Sequence, residues 1–136
     1  MSLRTKAREY AMQMLFQVEM SPQDAKKLEA KFWKSAKAAD TTREFANALF
    51  EGASKEVAGL DEVIAKHAEN WRLDRLAAID RAILRLGIYE LRRGETPHKV
   101  VINESVELAK KFSSEEASGF VNGILDTVRK SLIAPS

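Results

Sequence analysis

The sequence contains no cysteine and very little proline or glycine. Without cysteine it has no disulfide, no thiolate nucleophile and no cysteine-ligated zinc, which suits a reducing cytoplasm. Only 3 residues are Pro and 6 are Gly, and the sequence shows no Gly/Ser-rich linker. Its 136 residues are 45% hydrophobic and 31% charged, a balance typical of globular proteins. We therefore expect a single cytoplasmic domain spanning residues 1–136.

Long apolar segments and a strong net charge are also missing. The longest stretch without a charged residue is nine residues, whereas a membrane-spanning helix needs about 20. We expect no membrane span and no targeting segment. The net charge of +2 is too small to identify a nucleic-acid-binding protein by itself. The basic residues, however, concentrate near the N-terminus and in an arginine-rich segment, 71–100.

The motifs of common enzyme classes are absent from the sequence. It has no glycine-rich phosphate-binding loop and no serine in a nucleophile elbow. Its two histidines, His67 and His98, lie far apart and lack neighbours at metal-ligand spacing. We therefore expect no catalytic site, no metal and no cofactor.

Apolar residues recur at helical spacing along nearly the whole chain, which predicts an all-α fold of seven helices. The fifth helix has the widest apolar arc and should be the central, mostly buried one. We expect the third helix to stop near Gly59. The other boundary signals are Ser21 and Pro22 for the second helix, Thr41 and Glu44 for the third, Asp61 for the fourth, Asp74 and Gly94 for the fifth, and Ser113 or Ser114 for the seventh.

The first predicted helix carries a row of residues spaced by four, namely Arg4, Arg8, Met12 and Phe16. On a helical wheel, Phe16 points away from the apolar stripe and Met12 lies well off it. A basic ridge that runs into an aromatic ring, with Lys6 nearby, resembles a surface that grips phosphates and stacks a base. Alternatively, Met12 and Phe16 pack against another helix of the same domain.

The last predicted helix contains two glycines, Gly119 and Gly123, on either side of Phe120. Each glycine costs about 1 kcal/mol relative to alanine in a helix interior, so their presence calls for a reason. Small residues would let another backbone approach closely, whether of protein or of RNA. The alternative is close packing against a neighbouring helix of the domain. Lys110 and Lys111 precede this helix and are either phosphate contacts or part of a solvated face.

Two acidic residues, Asp80 and Glu90, fall inside the apolar arc of the fifth helix. Buried carboxylates need partners. Each of the two therefore either forms an internal ion pair with an arginine or is partly exposed at a protein interface, where it binds a basic partner. The arginines of the same helix, Arg81, Arg85 and Arg92, share its polar edge and are interpreted as its solvent side.

Four stretches together resemble the NusB family of bacterial transcription antitermination factors. They are K-A-R-E-Y-A-M-Q-M-L-F-Q (6–17), L-D-R-L-A-A-I-D-R-A-I-L-R-L-G-I-Y-E-L (73–91), P-H-K-V-V-I-N-E-S-V-E-L-A-K-K-F (97–112) and G-F-V-N-G-I-L-D (119–126). The resemblance spans essentially the whole chain, and residues 20–70 are the least distinctive part.

The resemblance implies seven helices in two small helical subdomains and no catalysis. It implies binding of single-stranded box A RNA together with the small-subunit ribosomal protein NusE. It further implies that this complex joins RNA polymerase and suppresses premature termination, especially in ribosomal RNA operons. Some relatives also form homodimers.

Carried over by position, the resemblance implies both an RNA surface and a partner surface. Asp80 matches an acidic position on the surface that faces NusE. Phe16 stands where many relatives have tyrosine, so stacking survives but a hydroxyl hydrogen bond does not. Thr5 stands where relatives can carry arginine. The implied RNA-binding residues are Arg4, Lys6, Arg8, Phe16, Lys110, Lys111, Phe120 and Asn122.

Two alternatives to this function stay open at the level of sequence. In the first, Met12, Phe16, Gly119 and Phe120 form a dimer or partner-helix interface that binds no RNA. In the second, the chain is the detached RNA-binding domain of a ribosomal RNA methyltransferase. Because the chain ends at Ser136 with no room for a methyl-donor fold, we expect a freestanding binder.

Overall fold

The computed structural model describes residues 2–68 and 76–133, and in these ranges it contains seven α-helices and no β-strand. The prediction of a seven-helix, all-α fold is therefore confirmed. The helices are α1 (Leu3–Met20), α2 (Ala25–Ser35), α3 (Asp40–Lys55), α4 (Val57–His67), α5 (Ala78–Arg93), α6 (His98–Phe112) and α7 (Glu115–Ile133).

Helix α5 lies at the centre, as its apolar sequence predicts. It packs against α1, α3 and α4, which precede it in the chain, and against α6 and α7, which follow it. Every residue from Ala82 to Leu91 is buried. The other close pairs are α1 with α3 and α6 with α7. Helix α1 is thus covered by neighbours on several sides, so part of its predicted basic ridge is buried.

Close helix packing in the core depends on a glycine in α3. A Cβ atom built on Gly52 would lie 1.8 Å from the hydroxyl oxygen of Tyr89 in α5. That hydroxyl also contacts the guanidinium of Arg93 one turn further along. Any side chain at position 52 would therefore displace the Tyr89 ring, so the glycine sets how closely α3 and α5 approach.

The predicted start of the second helix is wrong. The side chain that caps α2 is Asp24, whose carboxylate accepts a hydrogen bond from the backbone N–H of Lys27 (3.2 Å). Ser21 instead ends α1, and its backbone N–H donates to the carbonyl of Gln17 (2.9 Å). The N-cap of α2 is Asp24 and not Ser21, because Ser21 is the C-cap of α1. Pro22 therefore lies in the connection between the two helices.

The third and fourth helices both start earlier than predicted. Thr41 and Glu44 already lie inside α3, whose N-cap residue makes no side-chain capping hydrogen bond, so the expected capping box is wrong. Helix α3 ends at Lys55 and Gly59 lies inside α4. Asp61 does not cap α4, because it lies inside that helix, and its carboxylate pairs with Arg85 of α5 (2.7 and 2.8 Å).

Two other boundary predictions agree with the structure. Gly94 ends α5 in the left-handed conformation with a φ of 70°, which favours glycine. Ser114 precedes α7, and its hydroxyl oxygen accepts a hydrogen bond from the N–H of Ala117 (2.9 Å). Asp74 lies outside the described residues. Within the described ranges, no helix has the length and apolar character to cross a membrane.

Candidate nucleic-acid interface

The row of Arg4, Arg8, Met12 and Phe16 is not a continuous surface ridge. Met12 is fully buried, Arg8 is 2% exposed, and Phe16 is half-buried against the core. Only Arg4, in the first turn, is exposed. The alternative interpretation therefore holds for Met12, whereas Phe16 packs one part of its ring against the core and keeps another part in solvent.

Arg8 belongs to a buried ion-pair cluster. Its Nε and one terminal nitrogen each donate to a different carboxylate oxygen of Glu90, both at 2.8 Å. Its other terminal nitrogen lies 3.5 Å from Glu104, which also accepts a hydrogen bond from the Thr5 hydroxyl (2.6 Å). Burial opposes the charge of Arg8, but the two carboxylates outweigh it and hold its pKa above the usual value.

This cluster joins α1, α5 and α6. Arg8 is the internal ion-pair partner that the sequence analysis offered as one alternative for Glu90. Both nitrogens that face Glu90 are occupied, and the whole side chain is shielded from solvent. We therefore assign Arg8 to the core and leave it out of the RNA surface proposed below.

The exposed positive charge near α1 belongs to Lys6 and Lys111, and both lysines are held in place by Glu9. The Glu9 carboxylate, only 4% exposed, accepts hydrogen bonds from Lys6 (3.2 Å) and from Lys111 at the end of α6 (2.7 Å). The two lysine side chains remain 43% and 48% exposed. Each ammonium has three N–H groups, so both lysines keep donors for another ligand. We call Lys6, Glu9 and Lys111 the lysine bridge.

The glycines of α7 lie on an open surface. Gly119 and Gly123 are exposed, and a Cβ atom built on either would have no described atom within 4 Å. Packing against any of the seven described helices therefore does not explain them. Asn122 is exposed between them, and Phe120 is half-buried with one side on the core. We call this the α7 open face.

The lysine bridge and the α7 open face lie at the same end of the α6–α7 hairpin. Helix α6 ends at Phe112 and α7 begins at Glu115. Residues 119–123 therefore follow the start of α7 by only about 6–12 Å along its axis. Lys110 is also exposed at this end, 3.7 Å from Glu107. The structure thus groups Lys6, Lys110, Lys111, Phe120 and Asn122 of the predicted RNA-binding residues.

Arg4 and Phe16 lie apart from this group. The Arg4 guanidinium carbon lies 5.2 Å from the centre of the Phe45 ring, at a cavity of about 210 Å³ that Arg93 also lines. Phe16 follows Arg4 by three helical turns, which places it about 18 Å further along α1. The sequence row suggested one surface, but the structure separates its two ends.

Asp80 occupies a different part of the molecule. It lies in the first turn of α5, where a carboxylate is favoured by the helix dipole. Its Oδ1 atom is buried, and no hydrogen-bond partner is found for it among the described residues. Because α1 and α5 pair Arg8 with Glu90 and Glu19 with Arg81, they run antiparallel. Asp80 therefore lies at the end of α5 remote from the lysine bridge.

The arginine edge of α5 is not simply a solvent side. Arg85 is buried, and it pairs with Asp61 and with Glu19 (3.4 Å). Burial opposes its charge, but these carboxylates raise its pKa above the usual value. Arg81 also pairs with Glu19, at 2.8 Å. Only Arg92 is exposed, as the sequence interpretation expected.

The sequence interpretation missed the organising role of Glu9. Its spacing of three from Lys6 indicates a local ion pair. Its contact with Lys111, however, joins two residues 102 positions apart in the sequence, so only the folded structure reveals it. In the described part of the chain, no cluster of three or more histidine or acidic residues could hold a metal ion.

Comparison with known proteins agrees with this architecture. The sequence model of the NusB family matches residues 5–130. A transcription antitermination protein NusB from Koribacter versatilis is 47% identical over 96% of this chain and 91% of its own length. A NusB from Sorangium cellulosum is 43% identical over 97% of this chain and 95% of its own length.

A solved structure of the antitermination factors NusB and NusE in complex with double-stranded RNA also matches. It superimposes with a TM-score of 0.85 at 30% identity, covering 96% of this chain and 98% of that one. The family model and these relatives each extend over nearly the whole sequence, so the chain belongs to the NusB family.

Proposed function

We propose that this chain is a transcription antitermination factor that binds single-stranded box A RNA together with NusE. In this role it joins the RNA polymerase antitermination complex at ribosomal RNA operons. The curated relatives are antitermination proteins, and a solved relative forms a complex with NusE and RNA. The observation that carries the proposal is the lysine bridge beside the α7 open face.

The proposed RNA surface works by charge, stacking and close approach, with no bond made or broken. Lys6, Lys110 and Lys111 contact phosphates, and such contacts add affinity without reading sequence. Phe120 offers a partly exposed ring for a base, and the exposed amide of Asn122 can hydrogen-bond base edges. The adjacent glycines leave room for the RNA backbone beside the helix.

Two further predicted residues extend this proposal. Arg4 is exposed in the first turn of α1 and supplies an additional phosphate contact. Phe16, about 18 Å further along α1, serves as a separate base platform for RNA that follows the helix.

For the protein partner, we propose that Asp80 faces NusE. Asp80 is only half-buried in the first turn of α5, so the exposed part of its carboxylate can meet a basic side chain across an interface. NusE then strengthens RNA binding by joining a second RNA-contacting surface to the first. We further propose that residues 1–136 act as one RNA-binding domain in the cytoplasm.

Fluorescence anisotropy of a labelled box A RNA tests this function. The protein is titrated with and without NusE, at two salt concentrations, against a scrambled RNA of the same composition. We expect tighter binding to box A, strengthened by NusE and weakened by salt. Equal binding of box A and the scrambled RNA, even with NusE, contradicts the proposal.

The main alternative is a dimerisation module in which Phe16, Gly119 and Phe120 contact a second copy. Met12 cannot belong to such an interface because it is fully buried within one chain. Apolar dimerisation does not weaken with salt, whereas RNA binding does. Sedimentation at the same two salt concentrations therefore separates the two readings.

A further inference from the structure

Helices α1 and α2 share an aromatic cluster on the outer side of the molecule. Tyr10 and Trp33 are both half-buried, with ring centres 5.1 Å apart in an edge-on arrangement. Phe32 is buried beneath them, 5.8 Å from Tyr10 and 5.0 Å from Trp33. The two upper rings are therefore held rigidly by packing while part of their surface stays in solvent.

The polar atoms of these two rings are already satisfied within the protein. The Trp33 indole N–H donates to the Asn47 side chain (2.8 Å), and the Tyr10 hydroxyl donates to the carbonyl of Lys37 (3.4 Å). These bonds fix the ring orientations, and the part of each ring that stays in solvent presents apolar surface. A ligand that uses them must therefore bring flat apolar faces, as nucleobases do.

Positive charge surrounds the two rings. The Arg43 guanidinium carbon lies 5.6 Å from the Trp33 ring centre, and the Lys6 ammonium lies 5.2 Å from the Tyr10 ring centre. Lys37 is exposed next to the Tyr10 hydroxyl. Among the described residues, no carboxylate lies within 4.0 Å of the charged nitrogens of Arg43 or Lys37. Both cations are thus available to an anionic ligand.

This patch is continuous with the lysine bridge. Lys6 belongs to both, since its ammonium contacts Glu9 on one side and the Tyr10 ring on the other. A chain of direct contacts therefore leads from Lys111 through Glu9, Lys6 and Tyr10 to Trp33 and Arg43. An RNA strand that occupies the lysine bridge can therefore continue over the rings, with Lys6 shared by both sites.

From this geometry we infer that Tyr10, Trp33, Lys37 and Arg43 form an auxiliary subsite for single-stranded RNA that flanks box A. We call it the flank subsite, and it rests on the function proposed above. Bases stack on Tyr10 and Trp33 while Lys37 and Arg43 contact phosphates. Because every base has a flat face, the subsite tolerates different sequences. Its effect is to lengthen the bound RNA segment without adding sequence specificity.

The test compares a core box A RNA with the same RNA extended by about 8 unstructured nucleotides at either end, within the usual span of a single-strand site. Anisotropy titrations use the wild type and the double variant Lys37→Gln/Arg43→Gln, which changes only exposed side chains. Trp33→Leu probes stacking, with circular dichroism to verify folding. Lys27→Gln is the charge control, because Lys27 is exposed on α2, the helix that carries Trp33, but lies outside the proposed subsite.

We expect the wild type to bind one of the extended RNAs about tenfold more tightly than the core, a gain of the size that one stacked base supplies. The double variant should lose most of this gain and keep its affinity for the core RNA. Its salt slope with the extended RNA should fall by about 1.4, or about 0.7 for each lost phosphate contact.

Equal affinities for core and extended RNA in the wild type overturn the flank subsite and leave the proposed function intact. An equal loss in the Lys27→Gln control also overturns it, because the effect would then be general charge. If box A is not preferred over a scrambled core, the proposed function fails instead. A gain from the extension that still depends on Lys37 and Arg43 would in that case support the subsite on its own.

Discussion

Replacing Arg8 by alanine should destabilise the protein strongly. Glu90 is 5% exposed, and Arg8 supplies the two 2.8 Å hydrogen bonds that neutralise its carboxylate. Removing one partner of a buried ion pair typically costs about 3–5 kcal/mol, because the other charge stays buried and unpaired. Glu104 is affected less, since it keeps its hydrogen bond from Thr5. Domains have a total stability of about 5–15 kcal/mol, so we expect a large loss.

Urea denaturation followed by circular dichroism at neutral pH measures this loss. A double variant, Arg8→Met with Glu90→Leu, serves as the control. Replacing a buried pair by apolar residues of similar volume is often close to neutral, so the double variant should recover most of the stability. A partial loss in Glu90→Gln would agree with the same reasoning.

The result that refutes this reasoning combines stability with RNA binding. If Arg8→Ala is as stable as the wild type and lowers the salt slope of RNA binding by about one ion, Arg8 contacts a phosphate instead. We expect the opposite pattern, in which stability falls and the salt slope of the folded fraction is unchanged.

Three further substitutions test packing and electrostatics. Burial, and secondarily the neighbouring Glu51, raises the pKa of Glu29 from 4.5 to about 7. The folded state therefore binds the carboxyl proton of Glu29 more tightly than the unfolded state does. The stability of the fold falls as the pH rises between these two values. Glu29→Gln should therefore gain about 1–2 kcal/mol over the wild type at about pH 8 and little at about pH 4, as measured by urea denaturation. Gly52→Ala forces a methyl group against Tyr89 and should lose about 1–3 kcal/mol, and an unchanged melting temperature would contradict the close approach of α3 and α5. Gly119→Ala should stabilise α7 by up to about 1 kcal/mol and weaken box A binding, whereas unchanged anisotropy would remove the α7 open face from the RNA surface.

Helical periodicity was sufficient to predict the number and order of the helices. Burial of one face repeats along every element, so the apolar stripes report it directly. Helix starts were harder to predict, because several side chains near each start can cap it. Ser21 and Asp24 both suit an N-cap, and only the extent of α1 decides between them.

The candidate site was only partly predictable, because one helix does not reveal what covers it. Arg8 and Lys6 are both basic and two positions apart, yet one is buried by Glu90 of α5 and the other stays exposed beside Lys111 of α6. These partners are distant in sequence, so helical spacing on α1 could not separate the two roles. The glycines of α7, in contrast, left two explanations at the level of sequence, namely packing against another helix of the domain or an open surface for a ligand. The described structure favours the open surface, because no described atom lies close to either glycine.

Ultraviolet cross-linking of box A RNA to the protein, with mass spectrometry of the cross-linked peptides, tests the central claim most directly. It locates the RNA surface without altering any residue. We predict cross-links on the α7 peptide that contains Phe120 and on the α1 peptide that contains Phe16, and we expect both to disappear with excess unlabelled box A. Cross-links confined to α3 or α4, with none on α7, would contradict the account.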